Sequence, residues 1–174
     1  MATKVVTQPG VRFSYAQVFE PKAMEGSDTA KYSVSIIIPK TDTVTIEAIQ
    51  AAIEAEKEAG KVTVFGGKIP ATLKTPLRDG DLERPDDAAY QGCMFINANS
   101  QNKPGVVDAN VAPILNRDEF YSGCYGRASF NIYPYSANGS KGIACGLNHV
   151  QKLAEGERLS GGSSAEEDFG DDLM

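Results

Sequence analysis

The segment from Phe120 to Tyr135 constrains the fold most strongly, because apolar and polar residues alternate along it while glycines interrupt it. Long alternation of this kind predicts a β-strand with one buried face. A glycine inside a strand marks a bulge or a tight bend, and small barrels need such bends to close. Gly123 and Gly126, together with Gly146 in a later extended run, therefore predict a strongly coiled sheet.

The rest of the chain supplies partner strands and one helix. After Asp42 or Thr43, either of which can cap a helix, isoleucines recur at three- and four-residue spacing until Gly60, the predicted helix end. We therefore predict a mainly β fold: a five-stranded curved barrel like the oligonucleotide-binding (OB) fold, with one helix and a disordered acidic C-terminal tail. A β-sandwich is the alternative. Extended segments are predicted at residues 11–19, 31–38, 90–98, 106–115 and 142–150, and a loop at 66–90.

The excess of acidic over basic side chains is confined to the C-terminal end of the chain. The sequence carries 17 basic and 23 acidic side chains, but residues 155–174 hold seven of the acids and one base, which leaves 16 of each sign in residues 1–154. We predict one domain over residues 1–154 and a flexible acidic tail over 155–174, which is either a solubilising segment or an interaction arm. The candidate partner-binding residues of this tail are Glu166, Glu167, Asp168, Phe169, Asp171 and Asp172.

The sequence argues against several classes of protein. Because it has no apolar run of membrane-spanning length and no signal-peptide core, we expect a cytoplasmic protein without a membrane partner. Three widely spaced cysteines and the single His149 predict neither a metal site nor a cofactor. The carboxylates between Asp79 and Asp87 share one polar loop, which indicates a solvated turn rather than a metal-dependent nuclease. With no nucleotide-binding or hydrolase motif, we predict that the protein is not an enzyme.

The polar face of the 120–135 strand is the candidate functional surface, since it places four tyrosines around an arginine. Tyrosine and arginine on a barrel face can stack on bases and bind phosphates without reading sequence. Alternatively, these tyrosines cover a second layer or a dimer partner. We select Tyr125, Tyr133 and Tyr135 as stacking residues. The candidate phosphate-binding residues are Arg127, Lys31, Lys74, Arg78, Lys103 and Lys141.

The final third of the chain contains motifs that resemble a known family. They are Tyr133-Pro134-Tyr135, a Gly-Ser-Lys-Gly turn, the run Gly146 to Lys152, and Gly156 to Gly162 followed by acidic residues and Phe169. Upstream, Pro76 to Asp81, Asn97-Ala98-Asn99 and Lys103 to Asp108 also match. With these motifs the chain resembles the phage single-stranded-DNA-binding proteins, over roughly residues 10–172.

The resemblance implies an OB fold and binding of single-stranded DNA without sequence preference. It also implies a role in phage DNA replication or recombination, in the cytoplasm of the host cell. We expect the acidic tail to regulate this binding and to contact replication or recombination proteins. The alternative function is a non-enzymatic phage assembly protein that uses the tyrosine-rich face as a protein interface. The oligomeric state stays open at this point.

Overall fold

Two long antiparallel strands, β7 (Tyr125–Ala137) and β8 (Ser140–Ala154), are paired along nearly their whole length. The computed structural model describes residues 2–23, 30–137 and 139–159, and within these ranges eight strands form one sheet. The other elements are β1 (Thr3–Val6), β2 (Val11–Ala23), β3 (Ala30–Pro39), α1 (Thr43–Thr63), β4 (Leu77–Asp79), α2 (Gly80–Glu83), a 3-10 helix (Ala88–Tyr90), β5 (Cys93–Ser100) and β6 (Gly105–Val107).

Five of these strands close into a ring. Strand β2 pairs with β3, β3 with β5, β5 with β8, β8 with β7, and β7 returns to β2. The seams are uneven, since β7 meets β2 over two residue pairs and β5 meets β8 only at Asn99 and Gly146. The predicted five-stranded curved barrel with one main helix is confirmed. Strands β1, β4 and β6 extend the ring at its edges.

The alternation in β7 separates a core face from an outer face, as the sequence predicts. Gly126, Ala128, Phe130 and Ile132 are buried, and the residues between them are half-buried on the outside. Gly126 pairs with Val11 at the short β7–β2 seam, and a Cβ on Gly126 would approach the carbonyl oxygen of Gln151 on the neighbouring strand β8 to 1.7 Å. The main core continues through Phe13, Ile36, Ile49, Ile96 and Leu147.

Helix α1 covers one end of the barrel. The Asp42 carboxylate caps it by accepting a hydrogen bond from the Thr45 N–H (3.1 Å). The helix runs to Thr63, three residues beyond the predicted end at Gly60. Gly60 is instead a point of close approach, because a Cβ there would lie 2.7 Å from the Cβ of Pro134 on β7. This contact ties the helix to the strand that carries the tyrosines.

Three further local predictions differ from the structure. The extended segment predicted at 106–115 contains a strand only at its start, β6 (Gly105–Val107). The strand predicted from Phe120 begins only at Tyr125, because Gly123 adopts a φ of +121° and donates its N–H to the Phe13 carbonyl (2.7 Å). The segment 66–90, predicted as a loop, contains β4, α2 and the 3-10 helix. Helices this short carry no 3.6-residue periodicity that a sequence argument could detect.

The five residues after β8 remain in contact with the barrel. The Arg12 guanidinium donates to the Glu157 carbonyl (2.8 Å), and the Leu159 N–H donates to the Ser122 carbonyl (2.9 Å). The side chain of Leu159 packs against a small cluster on the outer face of β3 and β5, formed by Ile37, Tyr90 and Phe95.

The predicted tail residues from Glu166 to Asp172 lie outside the described residues, and the domain boundary at residue 154 remains a prediction. Among the helices that the structure describes, none combines the length and the apolar character needed to cross a bilayer.

Candidate nucleic-acid interface

A groove crosses the outer surface of β5, β7 and β8. Two adjoining depressions form it and share Lys31, Asn99 and Tyr133. One depression extends over the turn after β5, at residues 100–102, and the other extends toward β4. The structure thus brings together five of the residues selected from the sequence, which are Lys31, Lys74, Arg78, Tyr133 and Tyr135.

Two tyrosine rings lie over small residues of β8, namely Gly142, Ala144 and Gly146. In the β7–β8 register, Tyr133 is opposite Ala144 and Tyr135 is opposite Gly142. A Cβ on Gly142 would come within 2.8 Å of the Tyr135 hydroxyl oxygen, and a Cβ on Gly146 within 3.3 Å of the Tyr133 ring. Because these residues are small, both tyrosine rings can lie across the strand, where the rings line the groove. Aromatic surfaces presented in this way can stack on bases.

The Tyr133 hydroxyl is uncharged at neutral pH. Burial raises the pKa of Tyr133, and the neighbouring Cys145 and Tyr135 raise it further. A neutral phenol does not repel a phosphate group. The ring can therefore stack on a base while the polyanionic backbone passes nearby.

Asparagines that the sequence argument did not select line the groove beside Tyr133. Asn97 and Asn99 come from the outer face of β5, and Asn131 and Asn148 come from β7 and β8. The Asn131 and Asn148 amides exchange hydrogen bonds, with Nδ2 to Oδ1 distances of 3.3 and 3.1 Å. An amide both donates and accepts hydrogen bonds. These side chains can therefore contact the edges of different bases, whose donors and acceptors are arranged differently.

The groove is positively charged. Lys31, Lys74 and Arg78 line it, and the described lining residues include no carboxylate. Arg78 pairs with Glu83 (2.7 Å), but both side chains are roughly half exposed, at 47% and 41%. An exposed pair of this kind contributes little, so Arg78 can exchange Glu83 for a phosphate. The ion pairs among the described residues involve neither Lys31 nor Lys74.

Tyr125 and Arg127, two further predicted residues, lie outside the groove. They share the outer face of β7 with Tyr133, but Tyr125 is eight residues away, which corresponds to about 26 Å along a strand. The ring of Tyr125 lies 5.1 Å from the Arg12 guanidinium, and Arg127 Nε donates to the Thr7 carbonyl (3.1 Å). Their partners belong to the barrel itself.

Lys103 and Lys141 lie near the groove without lining it. The ammonium group of Lys103 is 5.7 Å from the centre of the Phe19 ring. Lys141 borders the groove through its backbone, because its carbonyl accepts a hydrogen bond from the Lys74 N–H (3.4 Å). The Lys141 ammonium group points to the Phe65 carbonyl (3.4 Å).

Four carboxylates of residues 79–87 have structural partners, namely Asp79, Asp81, Glu83 and Asp87. Asp79 and Asp87 cap short helices, and Asp81 accepts a hydrogen bond from the Gly92 N–H (2.9 Å). Lys40 binds both Asp79 and Asp81, and its hydrogen bonds hold the pKa of each carboxyl below its ordinary value. In the part of the chain that the structure describes, no group of His, Cys, Asp and Glu is arranged to hold a metal ion.

Comparison with known proteins connects this chain to a family. The model of the Enterobacter phage Enc34 single-stranded-DNA-binding protein family matches residues 3–174. Putative protein p50 of Acyrthosiphon pisum secondary endosymbiont phage 1 is 34% identical over 169 residues, which cover 94% of this chain and 90% of that protein.

Solved structures show the same architecture. The single-stranded-DNA-binding protein of bacteriophage Enc34, in complex with single-stranded DNA, superimposes with a TM-score of 0.75 at 26% identity over 90% of this chain and 88% of that one. The single-stranded-DNA-binding protein gp2.5 of bacteriophage T7 superimposes with a TM-score of 0.65 at 16% identity over 100% of this chain and 96% of that one. At that identity, the second likeness concerns the fold alone.

Proposed function

This chain belongs to the Enterobacter phage Enc34 single-stranded-DNA-binding protein family, and from that premise we propose that it binds single-stranded DNA through the groove across β5, β7 and β8. Tyr133 and Tyr135 stack on bases, while Lys31, Lys74 and Arg78 neutralise phosphates. The observation that carries the proposal is the presence of both kinds of residue in one groove, with no carboxylate among its described lining residues.

Binding in this groove is independent of base sequence. Every base offers an aromatic face to a tyrosine, and phosphates are the same along the strand. A duplex offers no free base face, so it contacts only the cations. We propose that the protein covers and protects single strands during phage DNA replication or recombination.

The first test compares a fluorescently labelled 30-nucleotide poly-dT with a matching duplex by anisotropy, at low and moderate salt. We expect tight, salt-sensitive binding of the single strand and at least tenfold weaker binding of the duplex, because stacking requires unpaired bases. Failure to bind the single strand at low salt, also after removal of residues 160–174, contradicts the proposal. A stable oligomer without DNA affinity would instead favour the assembly function.

The acidic tail acts on the same groove in this proposal. The described chain ends at Leu159, which packs against the cluster of Ile37, Tyr90 and Phe95. Phe95 is the register partner of the groove residue Arg78. The described chain therefore ends at a cluster that adjoins the groove residue Arg78. A hinge of about ten residues has a root-mean-square reach of roughly 18 Å, which brings the tail carboxylates to the cations. DNA displaces the tail, which is then available to replication or recombination proteins.

Deletion of residues 160–174 is expected to tighten binding of poly-dT, by about tenfold at low salt, because a tethered anionic competitor is removed. The gain should disappear near roughly 0.5 M salt, where charges are screened within a few ångströms. The matched control keeps the tail length but replaces its aspartates and glutamates with asparagines and glutamines, and it should behave like the deletion. Equal affinities of full-length and truncated protein at every salt concentration would contradict tail competition.

A further inference from the structure

Outside the groove, a further aromatic residue, Tyr15, is exposed at a strained point of β2. Tyr15 follows Ser14 at an irregularity in the β2–β3 pairing, and its φ is +48°. This left-handed conformation is unfavourable for a bulky residue and is found where the surrounding structure imposes it. Nevertheless 49% of Tyr15 is exposed to solvent. The core therefore does not account for the presence of a large ring at this position.

Arg84 holds the ring of Tyr15 in place. The Arg84 guanidinium lies 5.2 Å from the centre of the Tyr15 ring and donates a hydrogen bond to its hydroxyl oxygen (3.2 Å). The same guanidinium lies 5.3 Å from the ring of Tyr90 and 5.9 Å from that of Phe95. Among the described residues, Arg84 forms no ion pair with a carboxylate. Its charge is thus available to an anion.

The buried ring of Tyr90, whose hydroxyl donates a hydrogen bond to Ser35 (2.9 Å), separates the Tyr15–Arg84 pair from the groove. Ser14, the neighbour of Tyr15, pairs with Ser35, and Ser35 pairs with Asn97, which lines the groove. The two strand spacings between Ser14 and Asn97 amount to about 10 Å. On the other side, Phe95, which the Arg84 guanidinium contacts, is the register partner of the groove residue Arg78.

We propose that Tyr15 and Arg84 form an additional nucleotide-binding subsite, which extends the path of the single strand from the groove over the cluster of Tyr90 and Phe95 to Arg84 and Tyr15. The Tyr15 ring stacks on a base, and the Arg84 guanidinium neutralises the adjoining phosphate. This inference rests on the proposed function, because the subsite prolongs that interface. The subsite also accounts for the strained backbone, since the left-handed conformation at residue 15 places the Tyr15 ring beside Arg84.

The test uses two single strands, one of about 5 and one of about 15 nucleotides, near the limits of the site sizes of OB folds. Tyr15→Gly removes the ring and also relieves the positive φ, so it removes the subsite without straining the fold. We expect it to weaken binding of the longer strand by about 5- to 150-fold and to leave the shorter strand unchanged. Tyr15→Phe keeps the ring and should bind both strands within about twofold of the wild type. Leu115→Ala, at a residue 87% exposed, is the surface control.

The outcomes separate this inference from the proposed function. If the wild type binds both strands and Tyr15→Gly binds the longer one equally well, the subsite is wrong and the groove proposal stands. If Tyr15→Gly binds more tightly, the patch holds a competitor such as the acidic tail, and the subsite is again wrong. If the wild type binds neither strand, the proposed function itself fails.

Discussion

The double substitution Tyr133→Ala and Tyr135→Ala is expected to weaken binding of single-stranded poly-dT by about 2–6 kcal/mol, because each stacked aromatic contributes about 1–3 kcal/mol. Anisotropy titrations of the double variant and of the two single variants measure this loss. The corresponding phenylalanine variants keep both rings and should bind nearly as well as the wild type. The Tyr135 ring lies against Gly142 on β8, so its removal also changes local packing. Thermal unfolding of each variant is therefore measured in parallel, to separate a loss of stability from a loss of binding.

The matched control for this prediction is Tyr125→Ala. Tyr125 occupies the same face of β7, but its ring contacts Arg12 at the far end of the strand. We expect this variant to bind DNA like the wild type. Full affinity of the Tyr133/Tyr135 double variant, or an equal loss in Tyr125→Ala, would show that the groove is not where bases stack.

The choice between these tyrosines could not be made from the sequence. Alternation fixes the face of the strand on which a side chain lies, and Tyr125, Tyr133 and Tyr135 share that face. It does not fix how the strand wraps around the barrel. In the structure, β7 pairs with β2 near Tyr125, whereas near Tyr135 it pairs with β8 and packs against helix α1, so the two ends have different neighbours. Position along a curved strand depends on closure, which is a tertiary property.

The barrel was easier to predict than the groove, because its evidence is local. The alternation in β7 and the cap at Asp42 can each be recognised from residues that are close in sequence. Gly126 is also visible in the sequence, as a glycine inside a predicted strand, although its reason is the approach of Gln151. The asparagines had a weaker local signal. Asn97 and Asn99 flank the buried Ala98, which assigns them to an outer face, yet only the register with β3 and β8 places them beside Tyr133.

The role of Gly60 shows the opposite error. Glycine is a common residue at helix ends, which favoured position 60 as the end of α1. In the structure the helix continues to Thr63, and Gly60 is required because Pro134 lies against it. A glycine selected for close contact and one selected for a turn look alike in a sequence. Only the packing partner distinguishes them.

The cations of the groove should determine how binding responds to salt. Replacing Lys31, Lys74 and Arg78 with glutamine removes the three proposed phosphate contacts. For single strands, each contact contributes about 0.7 to the slope of log K against log salt, so we expect the slope to fall by about 2. If the variant and the wild type bind equally at 1 M salt, this change in slope makes the variant roughly 500-fold weaker at about 0.05 M salt. Titrations at four or more salt concentrations measure both quantities.

Three cations outside the groove provide the control, namely Lys57 and Lys61 on α1 and Arg117, which pairs with Glu20. Replacing them with glutamine changes the net charge by the same amount but removes no contact in the groove. We expect this variant to keep the wild-type slope, because screening limits the effect of distant charges to about 10 Å near 0.1 M salt. Equal slopes for the two triple variants would show that DNA responds to overall charge rather than to the groove. A groove variant that loses affinity equally at all salt concentrations would indicate damage to the fold, since electrostatic contacts lose their effect near 1 M salt.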